Sequence, residues 1–289
     1  MIEPNKIYNE SCLDTLKKMP DNYIDSVVTS PPYWQLRDYG YDGQWGLEPT
    51  FQEYLEHLWQ MMDEIYRILK PQGTCWINLG DSYSTQSGTN AALARGKNYQ
   101  SDSTYIVNRG ESGKLIKPKN LPNKCLLLIP HRFAIGCIDR KWIVRNDIIW
   151  AKRNGIPESV SDRFTKKHEY FFFMVKSEKY YFDLDSIKNK TSDNNGFKNP
   201  GDVSDFWDVP TKPNSESHYA QYSDNLIMKP ILSGCPKGGI IYDPFMGSGS
   251  TAEAALRAER KFIGSEMSNE YIKIANQRLH PLLTQYSLF

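Results

Sequence analysis

The sequence predicts one α/β domain built on a mainly parallel, doubly wound sheet, and three stretches carry that prediction. The first is Asp25-Ser-Val-Val-Thr29, a short β-branched strand that runs into Ser30-Pro31-Pro32-Tyr33. The second is Phe51 to Leu69, where Phe51, Tyr54, Leu55, Leu58, Met62, Ile65 and Leu69 recur at helical spacing before Thr74-Cys-Trp-Ile-Asn-Leu79 returns to a strand. Together these form a β-α-β unit. The third is Gly238 to Thr251: Ile240 to Tyr242 form a strand, Gly247 and Gly249 permit a tight turn, and Ala252, Ala254, Ala255 and Leu256 open a helix.

Composition narrows the class. The chain has 289 residues, 39% hydrophobic and 24% charged, as a soluble globular protein has. No apolar run approaches the length needed to span a bilayer, and the first residues lack a signal-peptide core. The five cysteines (Cys12, Cys75, Cys125, Cys137, Cys235) are scattered without a Cys-x-x-Cys pair. That spacing argues against a zinc site or a disulfide framework and fits a reducing cytoplasm. A formal net charge of +1 means that any nucleic-acid surface must be local.

Along the chain, the stretch from Ile7 to Leu16 reads as a first strand and a helix, with Ser11 as a candidate cap. Two prolines stop the Asp25 strand and leave a rigid loop at its carboxyl end, where open α/β sheets place ligands. Pro31 and Pro32 carry no N–H, so the loop offers carbonyl acceptors beside the Ser30 hydroxyl and the Tyr33 ring. Such a set suits a flat base with an exocyclic amine, although the residues alone leave a proline-rich turn equally open. Trp34 to Gly40 and Gln44 to Pro49 make a long mixed loop beside this stretch, which either closes over a flipped base or contacts phosphates, with Arg37 as the candidate, or packs its own aromatics at the surface. After the Thr74 strand, Asp81 could face the site or cap a helix. Residues 84–124 lose apolar periodicity and gain lysine and arginine, which suits either phosphate contact or a solvated loop.

A helix then begins near Pro130 and runs to Asp139, and Trp142 to Trp150 and His168 to Lys176 read as strands. Lys152, Arg153, Arg163 and Lys166 form a local basic patch suited to phosphates, and His168 reads as a structural histidine. Residues 185–217 are polar and rich in turn signals, and Leu226 to Ser233 is helical. Lys261 to Glu266 is a further strand ending in an acid placed for ribose hydroxyls, and Ser268 caps a helix over 269–278.

The Ser30-Pro-Pro-Tyr33 and Asp243-Pro-Phe-Met-Gly-Ser-Gly249 motifs, in this order and each at a strand end, resemble the amino-methyltransferases that act on DNA. The resemblance covers nearly the whole chain and is to the permuted (beta) subclass. It implies a circularly permuted Rossmann-like sheet, with a catalytic half over about 1–184 and a cofactor half over 218–289. Residues 185–217 would be a target-recognition insert. Leu36-Arg-Asp-Tyr-Gly40 and the run from Trp150 through His168-Glu-Tyr170 also look like this family, whose corresponding strand ends border the target-base pocket.

The resemblance implies S-adenosyl-L-methionine as cofactor, held by Ser11, Cys12, Asp243, Pro244, Phe245, Gly247, Gly249, Thr251 and Glu266. Ser11 stands where the family usually has aspartate, which puts one cofactor hydrogen bond in doubt. It implies Ser30, Pro31, Pro32 and Tyr33 as the catalytic loop and double-stranded DNA as substrate, with a cognate restriction endonuclease as a possible partner. Ser-Pro-Pro-Tyr goes mostly with the N4 amine of cytosine in such enzymes, and the N6 amine of adenine is the alternative. An RNA or small-molecule methyltransferase, or a catalytically silent DNA-binding relative, stands further off.

Overall fold

The computed structural model describes residues 2–84, 121–152, 160–188, 203–210 and 224–286. Its strands are β1 (Lys6–Tyr8), β2 (Ile24–Thr29), β3 (Leu69–Leu79), β4 (Ile143–Ala151), β5 (His168–Val175), β6 (Phe206–Asp208), β7 (Ile240–Asp243) and β8 (Lys261–Ser265). Its helices are α1 (Cys12–Lys18), α2 (Phe51–Ile68), α3 (Ile129–Asp139), α4 (Asp224–Gly234), α5 (Ser250–Arg257) and α6 (Asn269–Tyr286). The strands form one eight-stranded sheet in the order β1-β8-β7-β2-β3-β5-β4-β6. Only β5 runs against its neighbours, antiparallel to β3 and β4; every other adjacent pair is parallel.

Chain order places the site. From β7 the chain crosses through α5 to β8 on one side, and from β2 it crosses through α2 to β3 on the other. The adjacent pair β7 and β2 is therefore the topological switch point, whose carboxyl ends leave a crevice for ligands. β1, from the start of the chain, pairs with β8, from near its end, which is the permuted order expected from the sequence.

Both faces of the middle of the sheet are covered, so β2, the Thr74–Leu79 half of β3 and the Phe171–Val175 part of β5 are buried in nearly continuous runs. On β2, Val27 belongs to the core shared with Leu16 of α1, Tyr54 of α2 and Phe133 of α3, while Val28 belongs to the core shared with Ile231 of α4, Ala255 of α5 and Leu279 of α6. The same alternation splits Phe172 and Met174 from Phe171 and Phe173 on β5.

Three elements depart from the sequence expectation. β3 starts at Leu69 rather than Thr74, because the α2 C-cap Leu69 is already extended and fully buried. The Lys70-Pro-Gln-Gly73 turn is thus absorbed into the strand, with a register shift between Ile24 and Ser26 on its neighbour. α6 continues beyond Arg278 through Pro281, because Leu279, Leu282 and Leu283 still pack on the core. β6 arises inside a segment that reads as polar, carried by Trp207, which is buried against Trp76 and Phe171. Most of the basic 84–124 segment and of the polar 185–217 segment lies outside the described residues. Among the described residues, no helix is long and apolar enough to cross a membrane.

Asp25 joins three strands. Its Oδ1 accepts from Lys70 Nζ at 2.8 Å, and its Oδ2 accepts from the Ile240 N–H at 2.9 Å. Asp25→Ala leaves that N–H and the ammonium group without their acceptor, and should cost about 2 kcal/mol of stability. Urea denaturation checks this; an unchanged midpoint would remove Asp25 from the account of how the strands are held.

Candidate active site

At the switch point, the last residue of β2 meets the last residue of β7. Thr29 donates its hydroxyl to Asp243 Oδ1 at 2.5 Å, and that oxygen also accepts from the Phe245 N–H at 3.0 Å. The Thr251 hydroxyl is a further partner of Asp243. Burial pushes the Asp243 carboxyl up from its ordinary range, and these three donors oppose the rise. Asp243 and Thr251 are each only 2% exposed and bind one another, so they shape the turn from inside and do not line the cleft. Gly249 supports the same turn. It caps α5 at φ +85°, and a Cβ there would stand 3.0 Å from the Ala275 side chain on α6.

The Ser30-Pro-Pro-Tyr33 loop leaves β2 beside the end of β3. Ser30 donates to Asn78 Oδ1 at 3.3 Å. Asn78 is 1% exposed, and its amide nitrogen donates to the Tyr170 carbonyl at 3.0 Å, which orients its oxygen toward the loop. The Tyr33 hydroxyl lies 2.9 Å from the same oxygen and 2.7 Å from Glu169 Oε2. One phenolic proton serves one acceptor at a time, and the carboxylate gives the stronger bond. Glu169 is in turn paired with Lys152. The Tyr33 ring packs closely against Gly80, where a Cβ would approach its Cε2 to 2.6 Å. The Pro32 carbonyl accepts from the Tyr54 hydroxyl at 2.8 Å and so is committed to α2.

Next to this loop a cleft opens over the ends of β1, β7 and β8. Ser11, Cys12, Pro244, Phe245 and Glu266 line it, together with Glu10 and the loop residues Tyr41, Gln44 and Trp45. Glu266 Oε2 accepts from the Gly247 N–H at 2.9 Å and Oε1 from the Ser268 N–H at 2.7 Å. Burial still pushes its carboxyl up, against those two N–H groups. Ser11 caps α1, exchanging hydrogen bonds with Asp14, while also lining the cleft. Burial pushes the Cys12 thiol up to about 12, so it is not a thiolate. Open backbone at Gly247, aromatic faces from Phe245 and Trp45, and the Glu266 carboxylate fit a ligand carrying a flat ring, hydroxyls and a cationic centre.

The 34–48 loop is braced from within. Gln44 Oε1 accepts from the Tyr39 N–H at 2.7 Å, Glu48 accepts from the Gly46 N–H at 2.8 Å and contacts His57 at 2.9 Å, and Trp34 donates to the Glu48 carbonyl at 3.0 Å. Arg37 is half-buried in this loop, bonded to Tyr39.

The basic residues divide. Lys152 turns inward to Glu169 and lies 4.4 Å over the Trp150 ring, so its observed partner belongs to the Tyr33 network and not to an open surface. Arg163 lies 4.1 Å over the Tyr83 ring, and Lys166 donates to the Asp81 carbonyl, which places both close to Gly80 and the Ser30-Pro-Pro-Tyr33 loop packed on it. Arg153 falls outside the described residues. Asp81 caps α3, accepting from the Ile129 N–H at 3.1 Å. His168 contacts the Tyr170 hydroxyl at 3.2 Å.

Sequence reasoning passed over Asn78 and singled Glu169 out only within a motif. The available signal for Asn78 was its polarity inside an otherwise apolar strand, Thr74 to Leu79. Tyr41, Gln44 and Trp45 had no comparable signal, since only the fold of their loop brings them over the cleft.

Known proteins match this arrangement. A family model described as a DNA methylase matches residues 24–277. The type II methyltransferase M.Cfr9I of Citrobacter freundii is 37% identical over 273 residues, covering 94% of this chain and 87% of that protein. M.SmaI of Serratia marcescens is 37% identical over 275 residues, covering 95% and 90%. Among solved structures, PvuII DNA methyltransferase, described as cytosine-N4-specific, superposes with a TM-score of 0.69 at 17% identity over 99% of this chain and 93% of that one. A complex of M1.HpyAVI with S-adenosylmethionine superposes at 0.58 with 19% identity over 95% and 98%. The strand-end motifs, the permuted sheet and these matches agree, and the chain belongs to the N6/N4 DNA methylase family.

Proposed function

We propose that the chain transfers the methyl group of S-adenosyl-L-methionine to the N4 amine of cytosine in double-stranded DNA. The observation that carries this reading is the direction of the Ser30 hydroxyl. It donates to Asn78, whose own amide nitrogen is committed to the Tyr170 carbonyl, so the lone pairs of Ser30 are left to accept an incoming N–H. An exocyclic amine delocalises its lone pair into the ring and is a poor nucleophile. Ser30 Oγ and the Pro31 carbonyl, accepting its two hydrogens, favour a pyramidal nitrogen. Tyr33, pressed on Gly80 and held by Glu169, offers its ring to the extruded base.

When bound, S-adenosylmethionine supplies an electrophilic methyl on a cationic sulfur. The residues that would hold it are those of the cleft: Ser11, Cys12, Pro244 and Phe245 against its adenine, and Glu266 against its ribose hydroxyls. Asp243, Gly247, Gly249 and Thr251 keep the turn that shapes this cleft. Asn78 is an amide and takes no proton, so no Ser30–Asn78 relay operates and the amine proton leaves to solvent after transfer. No cysteine lies in the catalytic loop and the cleft thiol is protonated, which supports amine over ring-carbon methylation. Arg37, Arg163 and Lys166 are the proposed phosphate contacts. The choice of cytosine rests on Ser30 at the head of the motif and on the N4-cytosine description of the PvuII enzyme. A restriction endonuclease of matching specificity is the proposed partner.

Incubation of unmethylated DNA with the protein and cofactor, followed by digestion and nucleoside mass spectrometry, should yield N4-methylcytosine; N6-methyladenine in its place would overturn the base assignment. Ser30→Ala should lower turnover about 100-fold, by analogy with loss of one transition-state hydrogen bond, while equilibrium titration finds cofactor affinity nearly unchanged. Retained turnover would end the role given to Ser30.

Glu266 gives a pH prediction. Its raised carboxyl takes up a proton at higher pH than an ordinary glutamate, and protonation removes its charge and turns one of its oxygens into a donor. Cofactor affinity should fall as the pH is lowered through this titration. Glu266→Gln should bind more weakly at neutral pH and lose this dependence; a variant that keeps the wild-type slope would assign the titration elsewhere.

A further inference from the structure

We propose that Phe164 is a wedge that enters the DNA duplex as the target base leaves it, delivered by the basic rim from which it projects. The ring is 96% exposed, the most exposed large apolar side chain among the described residues. It stands in the 160–167 connection that leads into β5, and this connection is braced on both sides of it. Arg163 Nη1 donates to the Phe164 carbonyl at 3.1 Å and its guanidinium lies over Tyr83. Lys166 is bonded to the Asp81 carbonyl, the Lys152 N–H donates to the Lys167 carbonyl at 2.8 Å, and Asp162 pairs with Lys124. The backbone that carries the ring is thus tied down, while the ring itself is almost fully exposed.

Position and charge identify the partner. The same connection runs directly into Glu169, which holds Tyr33, so Phe164 sits on the rim of the proposed target-base pocket. Arg163, Lys166 and Lys167 flank it in sequence. A bare aromatic ring among cations suits a partner that is anionic outside and stackable inside, as duplex DNA is. Proteins that unstack bases insert apolar side chains into the step they open, and a base taken out of the stack leaves such a gap. Filling it recovers part of the stacking lost on extrusion.

The inference rests on the proposed reaction of an extruded base, and the test separates the two. Full-length protein is assayed on two duplexes carrying its methylated site, one fully paired and one with an abasic position opposite the target base. Phe164→Ala is expected to lower kcat/KM about tenfold on the paired duplex and less than about twofold on the other, where extrusion is already easier. Cofactor affinity should not change, and Phe164→Trp should retain activity. With 2-aminopurine as the target base, Phe164→Ala should also reduce the fluorescence rise that marks extrusion. Equal losses on both duplexes, or no loss on either, with wild-type protein active, would overturn the wedge. Wild-type protein that methylates neither duplex would overturn the reading beneath it.

Discussion

The contact between Thr29 and Asp243 joins the two halves of the chain at the place where both ligands would meet. Parallel strands leave their carboxyl ends without a partner turn, so a crevice at the switch point is a consequence of topology. What topology does not supply is a fixed distance between the two strand ends. A buried carboxylate does so. Left alone it would cost several kcal/mol, so it persists only where donors converge, and here they come from β2, from the turn after β7 and from the start of α5. The Ser30-Pro-Pro-Tyr33 loop begins one residue after Thr29 and the turn before α5 one residue after Asp243, so neither can shift without loss of this contact.

Farther along the sheet, polar groups are arranged by the same logic. Asn78 is the polar residue at the end of β3, and β5, the strand that runs in reverse, brings Tyr170 and Glu169 to it. Were β5 parallel, its opposite end would face the loop. Reversal thus sets the Tyr33 hydroxyl against a carboxylate. Lys152, on the strand end beyond, balances that carboxylate, which would otherwise remain partly buried and unpaired.

Elements with strong local signals were legible in the sequence. The Phe51 helix, the Val27-Val28 strand and the glycine turn before α5 announce themselves by period or by special backbone needs. The strand ends that make the site followed from them, because order along the chain and right-handed crossovers leave few arrangements. The handover from α2 to β3 was not legible, since Lys70-Pro-Gln-Gly73 has the composition of a turn and only its pairing beside β2 makes it strand. Lys152 reads as a surface cation until β4 and β5 are paired, which sets Glu169 opposite Trp150 and within reach of the Lys152 side chain. Asp243 reads as a ligand contact, and its burial behind the turn is visible only in three dimensions. Local patterns therefore located the site to within a loop, while the roles of individual polar side chains depended on which strand end each one faces.

The balance of charge follows from the proposed reaction. Methyl transfer moves a positive charge from sulfur on the cofactor side to nitrogen on the base side. A free cation beside the catalytic loop would oppose both the arrival of the cofactor and the passage of that charge. Lys152 is such a cation, and its pairing with Glu169 neutralises it beside Tyr33, while Arg163 and Lys166 are engaged with the Tyr83 ring and the Asp81 carbonyl. What then meets the developing charge is a set of dipoles, the Ser30 oxygen and the loop carbonyl, held in place before reaction and needing no reorganisation during it. The cofactor side keeps the Glu266 carboxylate, itself held by two backbone N–H groups. In the proposed reaction the acceptors at the base are thus neutral, and the carboxylate stays on the cofactor side.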